Sequence, residues 1–297
     1  MNCPLCNHTT HTTTPIDRKH LAKLYKKTYD IDITHTINQP LFYTHCKACD
    51  LRFFHLADGT TPSGDNSFYN TLNKLPWYYL DEKSEYHHAK QFIKPSDKVL
   101  EVGSGKGAFA KHIPQAHYTG LEFSTDAKLM AQDNGFQIHN ISIQDYADTH
   151  PQNANVVCSF QVLEHVENPR AFLSAKLKAL MGGGVMIIAV PSEESFLHFS
   201  TNAILNMPPH HISRFSDKCL TNIAEIFNLK LLQIHHEKVQ PEHFNFYKAT
   251  MFSKRFFTPK LLSKNPLIKL TNRLGRYLEK IPPNAYGHTA IAVYQKT

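Results

Sequence analysis

The sequence predicts an α/β domain of the doubly wound kind, a mainly parallel sheet with helices on both faces. Three observations carry this. Between Lys98 and Val190 short apolar runs alternate with longer amphipathic ones, and one of the first runs passes straight into a glycine-rich turn. The 297 residues, 41% of them hydrophobic, are enough to build a core of their own. Strands separated by helices read as βαβ units, which place successive strands in parallel.

In order, KVLEVG reads as strand, AFAKHI as helix, YTGLEF as strand, TDAKLMAQDN as helix and FQIHNISI as extended. NVVCSF follows as strand, PRAFLSAKLKAL as helix and GVMIIAV as strand. Leu229 to Val239 and Thr289 to Tyr294 extend the sheet across an insert. Before the domain, His20 to Tyr29 reads as a polar helix and Phe68 to Lys94 as an aromatic, mostly helical stretch. The expected organisation is a cysteine-bearing segment over 1–60, an aromatic linker or lid over 61–95 and the α/β domain over 96–297. That domain contains a basic insert at 241–287.

Lys and Arg number 32 against 25 Asp and Glu, giving a net charge of +7. The insert, with nine Lys and Arg against two Glu, carries all of this excess. The longest apolar run, Val185 to Val190, is far short of a membrane span, and MNCPLCNHTT lacks the apolar stretch of a signal peptide. The expected location is therefore the cytoplasm, in keeping with six cysteines of which four form C-x-x-C pairs.

The strongest local signal is Val99-Leu100-Glu101-Val102-Gly103-Ser104-Gly105-Lys106-Gly107-Ala108. Glycines allow a sharp turn and a close approach of backbone to ligand at a helix start. The same letters satisfy the dinucleotide pattern G-x-G-x-x-A, so nicotinamide cofactors compete with S-adenosylmethionine (SAM). Glu101, two residues before the first glycine, would repel a pyrophosphate but can face the cationic end of SAM. Gly107 continues a G-x-G-x-G spacing. Glu122, about twenty residues on at a strand end, is placed for ribose hydroxyls in either cofactor, or is simply an exposed strand-end acid.

VLEVGSGKGAFA, GLEFS, VVCSFQVLEHVENP and MGGGVMIIAVP, in this order, resemble the class I SAM-dependent methyltransferases, which have a Rossmann-like sheet. The likeness covers roughly Tyr69 to Val239. It implies that Glu101, Gly103, Ser104, Gly105 and Gly107 hold the methionine end and Glu122 the ribose, with Phe123 in the same cofactor-binding set. It further implies that Gln144 and Asp145 meet the adenine edge and that Phe160 and Gln161 line the pocket beside the sulfonium. Asp148 competes with Asp145. Glu164 and His165 are either an acid/base pair or part of a structural strand-to-helix turn.

The methyl of SAM is already electrophilic, so such an enzyme mainly aligns a nucleophile and excludes water. A base helps a hydroxyl or acidic carbon acceptor, and histidine suits that work. In NMPPHHISRFS, His210 and His211 are the candidates for a catalytic or acceptor-binding role. The bland alternative is a rigid turn in which one ring packs. Small-molecule methyltransferases carry similar segments here.

Cys3-Pro4-Leu5-Cys6 and Cys46-Lys47-Ala48-Cys49 read as a four-cysteine zinc ribbon, against redox-active thiols. Cys3, Cys6, Cys46 and Cys49 are the expected ligands, with His8 and His45 as substitutes. Cys158 and Cys219 stand apart as packing residues. The ribbon, the aromatic FYxxL stretch and the SAM domain together resemble a methyltransferase subgroup whose acceptors include sugars and other small metabolites. Tyr69, Trp77, Tyr78, Tyr79 and Tyr86 either cover the site or pack the ribbon.

In the insert Leu267, Leu270, Leu274, Tyr277, Leu278 and Ile281 recur at helical steps after Asn265-Pro266. This helix either roofs the site or offers its charge to an anionic acceptor, a peripheral membrane surface or RNA. No RNA-binding motif accompanies it. The reading is a SAM-dependent methyltransferase of a small, sugar-like or anionic, acceptor; an RNA or protein methyltransferase and a silent SAM-binding scaffold are the alternatives.

Overall fold

A computed structural model describes residues 1–9, 11–75, 78, 80–113, 117–123 and 136–297. The expected helix TDAKLMAQDN, Trp77 and Tyr79 lie outside the described residues.

The main sheet contains β4 (Val99–Val102), β5 (Tyr118–Leu121), β6 (Ile138–His139), β7 (Ala154–Phe160), β8 (Leu180–Pro191), β10 (Leu229–Lys238) and β11 (Tyr286–Lys296). Their order is β10-β11-β8-β7-β4-β5-β6. β4, β5, β6, β7 and β8 pair in parallel, whereas β11 runs antiparallel to both β8 and β10. The chain leaves β4 toward β5 and β6, then returns to β7 on the other side. This reversal opens a crevice beyond the strand C-termini, where doubly wound sheets bind ligands. The doubly wound expectation is met.

Burial on both faces explains why these strands read as continuous apolar runs. Leu100, Val102 and Val157 point into one layer with Phe172, Leu173 and Leu220. Val99, Val156 and Phe160 point into the other with Tyr86, Phe109 and Ile291. The helix Pro169–Ala179 starts where Asn168 accepts a hydrogen bond from the Ala171 amide, with proline at its first turn.

A second, antiparallel sheet has the order β1-β2-β3-β9, from β1 (His11–Ile16), β2 (Leu41–Cys46), β3 (Arg52–Leu56) and β9 (Ser213–Arg214). Its last strand comes from the loop after β8, so the cysteine-bearing segment is hydrogen-bonded into the main domain. Cys3, Leu5, Cys46, Cys49, Leu51 and Phe53 share one core with Leu220 and Phe215. The helix Arg18–Tyr29 packs Leu21 and Tyr25 into a separate cluster with Phe54, Phe68 and Met207.

Several local expectations need correction. AFAKHI forms only a 3-10 stretch, Ala108–His112, ending at an extended Ile113. Ile113 precedes a proline in the sequence, which disfavours helical geometry. Of FQIHNISI, only Ile138–His139 is strand, because Ser142 caps the helix Ile143–Thr149 by accepting from the Asp145 amide at 3.0 Å. The aromatic stretch is two short helices, Asn66–Leu72 and Ser84–Ala89, with a 3-10 turn, Lys90–Phe92.

The insert holds the helices Phe244–Lys254 and Leu267–Leu278. The apolar stripe of the second does not roof anything among the described residues. Leu267, Leu270, Leu274, Tyr277 and Leu278 are between 43% and 83% exposed. The helix packs instead through Ile268 and Gly275, where a Cβ on Gly275 would lie 2.5 Å from Phe252 Cβ. Among the described residues no helix is long and apolar enough to cross a membrane.

Candidate active site

The glycine loop folds back over the end of β5. The Gly103 and Ser104 amides donate to the Leu121 carbonyl at 2.8 and 3.0 Å, and the Gly105 amide donates to Glu122 Oε2 at 2.8 Å. Gly103, Gly105 and Gly107 all have positive φ, the left-handed region that favours glycine. A Cβ on Gly103 would lie 2.4 Å from Val162 Cγ2, so the loop also presses on the turn after β7. Both sides of the crevice thus meet at this glycine.

Glu122 is half-buried at the crevice, and Phe123 beside it is 71% exposed. Asn140, which sequence reasoning missed, fixes this turn by donating to the Glu122 and Phe123 carbonyls at 3.0 and 2.9 Å. Gln144 and Asp145 are exposed on the first turn of the helix after β6. The Asp145 carboxylate accepts from the Ser142 hydroxyl at 2.6 Å, so part of its capacity is spent on capping.

Glu101 is buried and accepts from the Tyr118 hydroxyl. Burial pushes its pKa up to about 8, partly offset by that hydrogen bond. Phe160 does not line an open wall. It is buried between Tyr86 and Phe109, because strand alternation turns it into the same core layer as Val156. Gln161 has a left-handed φ of 57°, and its side-chain amide donates to Thr289 Oγ1 at 3.2 Å.

Three residues beyond Val162, His165 meets His210 and His211. One ring nitrogen of each lies within 4.8 Å of the others. His210 Nε2 is 3.3 Å from the Tyr78 hydroxyl, and His165 Nδ1 is 3.4 Å from that of Tyr69. Tyr69 and Tyr78 therefore reach the histidines, whereas Tyr86 packs the core. Desolvation lowers all three imidazoles: His165 to about 4, and His210 and His211 well below the ordinary range, each also disfavoured by a neighbouring imidazole. A general base works best with a pKa near the working pH, so these rings are weak bases. His165 was legible only as half of a Glu-His dipeptide; its convergence with the later pair is a tertiary fact.

The sulfurs of Cys3, Cys6, Cys46 and Cys49 also lie within 4.8 Å of one another, with Cys3–Cys49 and Cys6–Cys46 at 3.6 Å. The two turns repeat one hydrogen-bond pattern. Asn7 N donates to Cys3 O and Asp50 N to Cys46 O, while Cys3 N donates to His8 O and Cys46 N to Leu51 O. Asn7 and Asp50 have φ of 63° and 66°. His45 Nε2 is engaged by Asp50 at 2.8 Å, and Cys219, read as a solitary packing residue, is buried against Cys49. Four thiols gathered by two matched turns make a site able to coordinate a metal.

A family model described as a methyltransferase domain matches residues 77–255, more than half of the chain. The chain belongs to this methyltransferase family. With its sheet topology it is a class I, SAM-dependent member. The methyltransferase is 28% identical over 171 residues to the ubiquinone biosynthesis O-methyltransferase of Hydrogenovibrio crunogenus, covering 50% of this chain and 71% of that one. It is 34% identical over 121 residues to the enzyme of the same description from Klebsiella pneumoniae, covering 38% and 47%. The methyltransferase thus spans about half the length of that second relative. A SAM-dependent methyltransferase structure from Archaeoglobus fulgidus shares the fold, with a TM-score of 0.53 and 17% identity over 77% of this chain and 100% of that one.

Proposed function

We propose that this methyltransferase transfers the methyl of SAM to a hydroxyl oxygen of a small aromatic acceptor, with quinone-type phenols the leading class. One observation carries the reading. Tyr69, Tyr78, His165, His210 and His211 gather ring against ring, with His165 three residues beyond the Val162 that Gly103 of the loop presses on, an aromatic cluster suited to an aromatic acceptor. The O-methyltransferase descriptions of the relatives support it.

In this reading Glu122 accepts from the ribose hydroxyls and Phe123 stacks on the adenine, whose edge meets Gln144 and Asp145. Glu101 and the loop of Gly103, Ser104, Gly105 and Gly107 hold the methionine end. Gln161 borders the sulfonium, with Phe160 supporting it from the core. His210 and His211 take the acceptor side. Bound SAM would supply an electrophilic methyl, whose transfer to the acceptor oxygen would leave a neutral thioether, with the hydroxyl proton passing to water because the three imidazoles are weak bases. Alignment and exclusion of water supply most of the acceleration.

Incubation with methyl-labelled SAM and a panel of catechols, aliphatic alcohols, amines, sugars, RNA and cell extract tests this. Label in a phenolic ether is the expected result; label confined to RNA, protein or a sugar overturns it.

The four cysteines hold zinc in this reading. Tetrahedral zinc with about 2.3 Å bonds sets its sulfurs roughly 3.8 Å apart, close to the spacing found. Metal analysis showing no zinc after purification under reducing conditions would defeat it. Cysteines held as zinc thiolates fit a reducing compartment such as the cytoplasm.

The exposed stripe of Leu267–Leu278 gives the enzyme a peripheral membrane contact. Helical spacing sets the exposed Lys269, Arg273 and Arg276 on the face next to the apolar residues, an arrangement suited to anionic lipid. Sedimentation with phosphatidylglycerol vesicles should fall sharply in Leu270→Glu/Leu274→Glu; equal binding by both proteins removes the contact.

A further inference from the structure

We propose that His165, His210, His211 and Glu164 form a second metal site, three imidazole nitrogens and a carboxylate for a divalent first-row ion of which zinc is the best probe. It is separate from the cysteine site and does not depend on the acceptor assigned above.

The first argument is how the rings are held. His165 Nδ1 is 2.6 Å from the His210 carbonyl, His210 Nδ1 is 2.9 Å from the Leu205 carbonyl, and His211 Nδ1 is 3.2 Å from Asn206 Oδ1. A carbonyl oxygen only accepts, so Nδ1 of His165 and of His210 carries the proton and donates; Asn206 Oδ1 asks the same of His211. Each ring is thereby set in one tautomer with Nε2 unprotonated; that of His210 accepts from the Tyr78 hydroxyl at 3.3 Å, a contact that a metal ion would replace. Outer oxygens that fix the tautomer and orientation are the usual support of metal-ligating histidines.

The second argument is Glu164. Its side chain is 1% exposed, and among the described residues neither carboxyl oxygen has a hydrogen-bond partner. Oε1 points at the cluster, 3.8 Å from His165 Nε2 and 4.0 Å from His211 Nε2, too far for hydrogen bonds. A buried carboxyl group left without a partner is costly; Glu164 stands just outside the 4.8 Å grouping of the three rings, and a cation held by them would draw its carboxylate in and satisfy it. Imidazole and carboxylate together suit zinc and its first-row neighbours.

The third argument is support. Ile212 N donates to the Glu164 carbonyl at 2.9 Å, tying the segment of His210 and His211 to the turn of Glu164 and His165. The ligand set is therefore held by two chain segments bonded to each other, rather than by mobile side chains at a surface.

The test is zinc content and X-ray absorption on the full chain, purified under reducing conditions and loaded with zinc. Wild type should hold about two equivalents per chain, with a mixed shell of sulfur near 2.3 Å and nitrogen or oxygen near 2.0 Å. Cys3→Ser/Cys6→Ser should leave a nitrogen/oxygen shell alone. His211→Ala should lose about one equivalent with circular dichroism unchanged, and Glu164→Gln should weaken zinc at least tenfold, on the order of a lost ligand. Wild type holding one zinc in an all-sulfur shell overturns the proposal without recourse to any variant. So does a folded His211→Ala chain that keeps both equivalents. Zinc absent from the cysteines but present in a nitrogen/oxygen shell would sink the ribbon and leave this site standing.

Discussion

Arg214 and Glu193 form a buried ion pair, each side chain 5% exposed, that ties the small sheet to the main one. Arg214 lies in β9, whereas Glu193 follows β8, and Arg52 of β3 adds a second contact to Glu193 at 3.7 Å. Burial, the largest single influence, would raise Glu193, but Arg214, a hydrogen bond with His198 and the charge of Arg52 together outweigh it and hold its pKa below the ordinary carboxylate range. The carboxylate is thus charged and dependent on its partner.

Removing one partner leaves an uncompensated buried charge. Arg214→Met should lose about 3–5 kcal/mol of unfolding free energy in urea, and Arg214→Met/Glu193→Gln should recover part of it. A single-variant loss under about 1 kcal/mol would show that the pair does not hold the sheets together.

On the proposed ribose assignment, Glu122→Ala should weaken SAM binding by about 1–3 kcal/mol, roughly fivefold to 150-fold by calorimetry, because the ribose would lose its acceptors and the Gly105 amide loses its partner. Unchanged affinity removes the ribose assignment.

Glu101 makes stability depend on pH. Its folded pKa, raised to about 8 by burial, exceeds the 4.5 of an ordinary glutamate. Between these values the native chain binds the extra proton, so stability falls as pH rises through the window, by up to about 1.4 kcal/mol per pH unit. Glu101→Gln should flatten that decline in denaturation curves recorded from pH 5 to pH 8. An identical slope in the variant would place its carboxyl in a wetter setting.

Lys176 acts in the opposite sense. Its ammonium is buried, donating to Ser159 Oγ at 2.7 Å and the Ile187 carbonyl at 3.3 Å, and burial lowers its pKa from 10.5 to about 7. Between those values the unfolded chain binds more protons, so stability rises with pH across the window. Lys176→Met should be the more stable protein at pH 7, with the advantage shrinking toward pH 10. A constant difference would contradict the assigned cause.

The glycine loop, Glu122 and the parallel sheet were legible in the sequence because their signals are contiguous. A glycine needed for a left-handed turn and an apolar run buried on both faces are local consequences of local residues. The two C-x-x-C turns were legible for the same reason, each closing its own hydrogen bonds within five residues. The hydrogen bonds of Asp145 with Ser142 and the burial of Phe160 between Tyr86 and Phe109 were not legible, the first because a cap depends on where the helix starts and the second because strand alternation sets which layer a side chain enters.

Sequence by itself determined the fold class and the cysteine pairs, since short-range sterics and hydrophobic period set both, while the cofactor, which the glycine loop alone left open, was read from a family resemblance. Tertiary structure alone decided what meets what across the chain: β9 joining β3, Arg214 finding Glu193, and His165 converging on His210 and His211. It also decided which side of Leu267–Leu278 is buried. The helical period announces an apolar stripe, but Gly275, lacking a Cβ, lets the helix settle on Phe252 along a different face. Such contacts depend on shape complementarity between segments far apart in sequence, which no local pattern encodes.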